Sequence, residues 1–182
     1  PMDPNYPSER LGHIVKTASI EFLLSAERID TSAIDVKHCL NIDHIDLSNE
    51  SSDNPSVDIN ADDDLYVIFT SGSTGLPKAA IISHQNEANL LHWYSKEYAL
   101  ESNDKFLVFA AIGFDLTQKN LLAPLCFGAE LHFNEVEIYE PDSLLETIAN
   151  NKITWINCAP SAFYPLAEDD TSFKKLTSVK KL

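Results

Sequence analysis

Short apolar runs that alternate with helical segments constrain this chain more than any other feature. Leu65–Phe69 (LYVIF), Ala79–Ile82, Lys105–Ala111, Ala129–Phe133 and Ile153–Asn157 read as strands, and Glu21–Ser25 as a further short one. Between them, His84–Tyr98 reads as a helix with Ala88, Leu91 and Tyr98 near one face. Leu116–Leu125 reads as a helix that runs up to Pro124. Asp142 is placed to cap a helix over Ser143–Asn150, and Pro160 starts another, proline being favoured in the first turn. Near the N-terminus, Asp3–Pro7 is turn-rich, and Ser8 is placed to cap a helix over Glu9–Ala18 with Leu11, Ile14, Val15 and Ala18 at helical spacing. Residues 46–63 hold almost no large apolar side chains and read as a surface loop. Strands and helices in alternation, with short connections, predict an α/β fold whose sheets are mostly parallel and flanked by helices. The length of 182 residues fits one domain, and no internal repeat is present.

Charge removes several classes of partner. The chain carries 13 Lys and Arg against 28 Asp and Glu, a net charge of −15. Such a field repels DNA, RNA and anionic lipid, so no nucleic-acid or membrane-surface partner is expected. The excess is uneven: residues 1–64 hold 14 acidic and 4 basic residues, the remainder 14 and 9. Most of it reads as solvated surface. The longest apolar run, Phe106–Phe114, is far shorter than the ~20 residues of a spanning helix. No N-terminal stretch reads as a signal peptide. Cys39, Cys126 and Cys158 are far apart and form no C-x-x-C pair, so neither a disulfide framework nor a zinc site is expected, and no metal is assigned to the chain's own side chains. The simplest compartment is a reducing cytoplasm. The chain opens on Pro1 and closes on Leu182 without a terminal signature, and is expected to be cut at both ends.

Chemistry concentrates in Thr70-Ser71-Gly72-Ser73-Thr74-Gly75-Leu76-Pro77-Lys78, directly after a predicted strand. Glycines let a backbone turn tightly and bring N–H groups close to a ligand. Hydroxyls add donors, and Lys78 adds a point charge suited to phosphate oxygens. The composition suits a polyphosphate. A Walker A loop is excluded, because that motif needs Gly-Lys-Ser/Thr at the start of a helix, whereas here Pro77 precedes Lys78 and the chain returns to strand. The bland alternative is a flexible Gly/Ser hairpin, which nine consecutive residues of this kind argue against.

The segment YVIFTSGSTGLPKAAIISH resembles the phosphate-loop signature of the adenylate-forming superfamily. That superfamily includes acyl-CoA synthetases, luciferases and the adenylation domains of nonribosomal peptide synthetases. One departure is Ala79, where the family usually has glycine. Two further segments resemble the peptide-synthetase branch. DPNYPSERLGHIV is similar to an Asp-Pro-x-Tyr-Pro-x-Glu-Arg stretch near the start of those domains, and Gly113-Phe114-Asp115-Leu116-Thr117 to their Phe-Asp-x-Ser/Thr motif. The resemblance runs over essentially the whole chain. It implies part of the large N-terminal subdomain of an adenylation domain over residues 1–182, without the C-terminal subdomain.

The resemblance also implies a chemistry. Thr70, Ser71, Gly72, Ser73, Thr74, Gly75 and Lys78 would hold the phosphates of ATP. Phe114, Asp115, Leu116, Lys119 and Asn157 would meet an amino-acid substrate, with Asp115 pairing the α-ammonium and Leu116, Lys119 and Asn157 lining the side-chain pocket. The product, aminoacyl-AMP, would load the phosphopantetheine thiol of a peptidyl carrier protein, next to condensation domains of the same assembly line. Mg²⁺ would accompany ATP, its Glu ligand lying beyond Leu182. No complete catalytic set is in the chain, so the segment by itself is expected to be inactive, activity needing the remainder of the adenylation domain. Two alternatives stay open: a ligase for a carboxylic acid without an α-amino group, and a non-catalytic truncated fragment.

The residues leave choices of their own. Asp115 follows an apolar run, so a half-buried carboxylate in need of a cationic partner is expected. It is equally suited to cap the helix that follows. Asp115 and Lys119, at i and i+4, share a helix face. Lys119 could favour an acidic or strongly hydrogen-bonding substrate side chain, pair with Asp115, or point to water. The six histidines show no ligand spacing. His84 is placed to start a helix, Trp93 and Trp155 read as core, and Lys174, Lys175, Lys180 and Lys181 as solvated surface.

Overall fold

A parallel strand can be reached only through a crossover, and a short connection forces an antiparallel partner. Both rules are at work here. The computed structural model describes residues 1–32, 34–70, 77–134 and 139–182. They divide into two units, Pro1–Gln85 and Asn86–Leu182.

In the first unit, α1 (Ser8–Thr17) buries Leu11, Ile14 and Val15, as the helical spacing predicts. The cap differs from expectation. Pro7 is the N-cap, and Ser8 is already inside the helix. The Pro7 carbonyl accepts from the Arg10 and Leu11 amides at 2.9 and 3.1 Å, and its ring fixes the entry φ, so no side-chain cap is required. The strand β1 (Phe22–Ser25) pairs in parallel with β2 (His38–Asn41). The sequence reading missed β2, whose His-Cys-Leu-Asn carries no apolar alternation. Its pairing is marked by the Phe22 and His38 rings, stacked at 4.7 Å. Residues 46–63 contain neither helix nor strand and are exposed, as the composition implied.

The strands β3 (Asp64–Thr70) and β4 (Lys78–Ser83) pair antiparallel, which qualifies the parallel expectation for this unit. The reason is the short link: residues 71–77 cannot carry a crossover. Only Ile68 is buried in β3, and the other residues of the LYVIF run are half-buried.

The second unit follows the α/β expectation closely. A three-stranded parallel sheet has β5 (Lys105–Val108) at its centre, with β6 (Glu130–Phe133) on one side and β7 (Trp155–Ile156) on the other. Side chains alternate across a strand, and here the alternation divides two cores. Phe106 and Trp155 pack with Leu91 and Tyr94 of α2 (His84–Glu97) and Ala123 of α3 (Asp115–Phe127). Leu107 and Ile156, on the other face, pack with Leu144, Leu145 and Ile148 of α4 (Pro141–Asn151) and with Ile153 and Leu166. A short α5 (Pro160–Phe163), a 3-10 turn at Tyr164–Ala167 and α6 (Asp170–Lys175) close the chain.

Several local expectations are corrected. The buried face of α2 is Glu87, Leu91 and Tyr94; Ala88 is exposed. Trp93 is 50% exposed, while Trp155 is core. The helix α3 continues through Pro124 to Phe127. It ends where Gly128 adopts φ 76°, a left-handed conformation that glycine takes without a Cβ penalty. Glu140, not Asp142, is the N-cap of α4, with Pro141 in the first turn. Asp142 lies inside that first turn, where its charge favours the helix N-terminus.

Buried polar residues pin the sheet. The Thr154 hydroxyl donates to Asp104 Oδ1 at 3.0 Å and accepts from the Lys105 amide at 2.9 Å. Asp104 Oδ2 accepts from the Glu101 amide. The start of β5 and the residue before β7 are thereby locked in register.

Ile148 is fully buried between α4 and the sheet. Its replacement by alanine is expected to cost about 2–5 kcal/mol. Leu125→Ala, at a position 64% exposed, should stay within about 0.5 kcal/mol. Urea unfolding of both variants checks this; equal midpoints would contradict the two-faced core.

Candidate functional site

Two sets of sequence-predicted residues fall in different units. The first is at the foot of the β3–β4 hairpin. Thr70 and Lys78 are direct cross-strand partners, and the Thr70 hydroxyl donates to the Lys78 carbonyl at 3.4 Å. Both side chains are exposed. Ser71, Gly72, Ser73, Thr74 and Gly75 lie outside the described residues. Ala79, the departure from the family pattern, sits opposite Phe69 in the ladder and is not among the residues with positive φ. A glycine is therefore not required there.

His13, which sequence reasoning set aside, supports this foot. Its Nε2 is 3.1 Å from the Pro77 carbonyl. A carbonyl only accepts, so Nε2 carries the proton and donates. The imidazole also meets the Phe69 ring edge-on at 6.4 Å. The position of His13 on α1 gave no signal, because its partner is 64 residues away in sequence.

The second set gathers around the start of α3. Phe114 is the N-cap, with extended φ and ψ, and is 61% exposed. Asp115 is the first residue of the helix, and its Oδ1 accepts from the Leu116 amide at 2.7 Å. It is exposed rather than half-buried, because the segment from Phe109 to Phe114 leaves the sheet before the helix begins. Two buried side chains hold that segment in place. The Thr117 hydroxyl donates to the Ala111 carbonyl at 2.8 Å, and Gln118 Nε2 to the Ile112 carbonyl at 2.7 Å. These residues position Asp115, and only Thr117 lay within the recognised motif.

Lys119 and Asn157 meet on a residue the sequence reading did not single out. Lys119 Nζ stands 4.3 Å from the centre of the Tyr94 ring. Asn157 Nδ2 donates to Tyr94 Oη at 3.2 Å. The Asn157 carbonyl accepts from Asn120 Nδ2 at 2.8 Å, which ties the end of β7 to α3. Tyr94 is 1% exposed, and burial pushes its phenol up to about 12, against the opposing hydrogen bond from Asn157. It stays neutral and keeps its O–H near neutral pH. Burial lowers the Lys119 ammonium from its ordinary value, with Asp115 and Glu87 acting in the opposite direction. The Lys119 ammonium lies over an aromatic face, with the carboxylates of Asp115 and Glu87 acting on it. The signal for Tyr94 was available: Glu87, Leu91 and Tyr94 are spaced i, i+4, i+7.

Comparison with known proteins agrees with the motifs. The family model for AMP-binding enzymes matches residues 1–182. The chain is 33% identical over 184 residues to Surfactin synthase subunit 2 of Bacillus subtilis (strain 168), covering 100% of this chain and 5% of that protein. It is 30% identical over 170 residues to Bacitracin synthase 3 of Bacillus licheniformis, covering 93% and 3%. It thus spans a small fraction of the length of these relatives. Among solved structures, the nonribosomal peptide synthetase FmoA3 in its AMPPNP-bound form has a TM-score of 0.85 at 24% identity, over 98% of this chain and 19% of that one. The Klebsiella oxytoca NpsA N-terminal subdomain in complex with 3-hydroxybenzoyl-AMSN has a TM-score of 0.82 at 23% identity, over 98% and 44%. Both share the α/β fold. This chain belongs to the AMP-binding enzymes.

Loss of the His13 bond should loosen the hairpin foot. His13→Ala is expected to cost about 1 kcal/mol locally, read as faster amide exchange in β3 and β4 with protection of α4 unchanged. Equal exchange in the hairpin would contradict the anchoring role.

Proposed function

We propose that the protein carrying this chain activates an amino acid with ATP and passes it to a carrier-protein thiol in nonribosomal peptide synthesis. The premise is membership of the AMP-binding enzymes over residues 1–182. The observation that carries the amino-acid reading is Asp115, an exposed carboxylate at the head of α3 on the same helix as Lys119. It is suited to a substrate α-ammonium, since a charge-assisted hydrogen bond is about twice as strong as a neutral one.

In this reading the substrate carboxylate attacks the α-phosphorus of ATP. The α–β bridging oxygen leaves with pyrophosphate, and aminoacyl-AMP forms. The carrier's pantetheine sulfur then attacks the acyl carbon and AMP departs. No covalent nucleophile on the enzyme is required; the work is positioning and charge neutralisation. Thr70 to Gly75 and Lys78 hold the phosphates, with Lys78 set opposite Thr70 at the hairpin foot. Mg²⁺ accompanying ATP would supply further charge neutralisation. Phe114 and Leu116 flank Asp115, and Lys119 with Asn157 forms a polar wall for the substrate side chain. That wall favours a side chain with an acceptor oxygen. The carrier protein, condensation domains and the remainder of the adenylation domain complete the assembly, in the cytoplasm. Among the described residues no helix is long and apolar enough to cross a membrane.

A second reading, activation of an acid without an α-amino group, draws support from the aryl ligand of the NpsA complex. Substitution of Asp115 distinguishes the two readings.

In the intact protein, Lys78→Ala should lower kcat/KM for ATP roughly 10- to 100-fold, the worth of one charged hydrogen bond. The fold should be kept, since Lys78 is exposed. Unchanged amino-acid-dependent pyrophosphate exchange would remove Lys78 from the phosphate site. Asp115→Ala should raise KM for the amino acid at least about tenfold with KM for ATP unchanged. Normal amino-acid kinetics in that variant would refute the ammonium contact.

A further inference from the structure

Tyr94 lies inside the second unit but touches both polar residues of the proposed side-chain pocket. Its ring carries Lys119 Nζ at 4.3 Å, and its hydroxyl receives Asn157 Nδ2 at 3.2 Å. These partners come from different elements: Lys119 from α3, Asn157 from the residue after β7, and Tyr94 itself from α2. The ring is held on its other sides by Trp155 at 5.4 Å and Tyr98 at 4.9 Å, so it cannot turn without disturbing an aromatic core.

We propose that Tyr94 is the positioning residue of the substrate side-chain pocket, its ring fixing the Lys119 ammonium and its hydroxyl fixing the Asn157 amide. The proposal rests on the reading that Lys119 and Asn157 line that pocket. Packing alone does not account for Tyr94. A leucine or phenylalanine would fill an apolar core position, while a buried hydroxyl must be given a hydrogen-bond partner. Asn157 supplies one. A lysine normally lays its stem on apolar surface and keeps its head in water; here the head is over the ring, where the π-face attracts a cation.

The consequence is a pair of fixed polar groups. Asn157 spends an amide proton on Tyr94, which orients its Oδ1. Lys119 has three protons and no acceptor, and the carboxylates of Asp115 and Glu87 act on it from α3 and α2. A substrate side chain carrying an acceptor oxygen gains from an ammonium already in place, because the ordering cost is met in the free enzyme. An apolar side chain of the same size leaves that ammonium without a ligand partner, and polar sites reject such analogues strongly.

The test uses Tyr94→Phe and Tyr94→Leu in the intact protein. The first keeps the ring and loses the hydroxyl; the second loses both. The readout is pyrophosphate exchange with an oxygen-bearing amino acid against its apolar isostere, asparagine or aspartate against leucine and glutamine or glutamate against methionine. The preference should fall about threefold in Tyr94→Phe and about tenfold in Tyr94→Leu, as expected for one neutral hydrogen bond and for that bond plus a cation–π contact. KM for ATP should not move. An unchanged preference in both variants overturns the proposal, as does an equal loss for both substrates and ATP, which would mark a purely structural role. Should Tyr94→Leu fail to fold, Tyr94→Phe decides alone. A second measurement is independent of turnover. In protein labelled with ¹³Cε-lysine, the Lys119 ε-methylene protons should be shifted upfield by the ring in wild type and Tyr94→Phe, and return towards the free-lysine position in Tyr94→Leu. A free-lysine shift in wild type overturns the proposal. Absence of exchange with every amino acid in wild type, beside a ring-shifted Lys119, would instead count against the amino-acid reading.

Discussion

The flat stack of Phe106 on Trp155 is the contact on which the second unit depends. The rings lie 5.0 Å apart with planes 9° from parallel, joining β5 to β7 on one face of the sheet. Their sequence neighbours Leu107 and Ile156 point to the opposite face. One pair of adjacent residues on each strand therefore founds two cores. Tyr94 leans edge-on against Trp155, so the aromatic cluster that sets the sheet also sets the place where Lys119 and Asn157 meet. The packing of the sheet and the placement of Lys119 and Asn157 draw on the same side chains.

Buried polar groups do the remaining placement. Thr117, Gln118 and Asn120, within one turn of α3, each donate to a backbone carbonyl outside the helix. The Ala111 carbonyl accepts from the Phe114 amide as well, at 3.1 Å. The three bonds make the head of α3 a fixed platform, with Asp115 exposed upon it. In the first unit, His13 plays a comparable part at the Pro77 carbonyl. In both cases a side chain holds a backbone carbonyl that is distant in sequence or lies outside its own helix.

The α/β class was legible because apolar Phe106–Val108 and Trp155–Ile156, and Leu131 and Phe133 in alternation with His132, are separated by helical segments, a local pattern. The phosphate-loop motif was legible for the same reason: nine adjacent residues carry it. What was not legible depended on distant partners. The strand β2 is made by its pairing with β1 rather than by its own composition. Asp115 was expected half-buried because the preceding run is apolar, yet the chain turns away from the sheet before reaching it. The end of α3 was misplaced because Pro124 lies inside the helix and is buried, where tertiary packing offsets a lost backbone bond. Tyr94 was visible as part of a helical face, but its two functional partners stand 25 and 63 residues away in sequence.

In the proposed function, Asp115 takes the α-ammonium of an amino acid, and Lys119 with Asn157 selects an oxygen-bearing side chain. The most direct measurement is ATP–pyrophosphate exchange by the intact protein across a panel of amino acids, their 2-hydroxy analogues and aryl acids. Exchange is expected with one or a few α-amino acids that carry an acceptor oxygen, and little with the matching hydroxy acids. Equal exchange with hydroxy or aryl acids, or a preference for purely apolar amino acids, would contradict the proposed function.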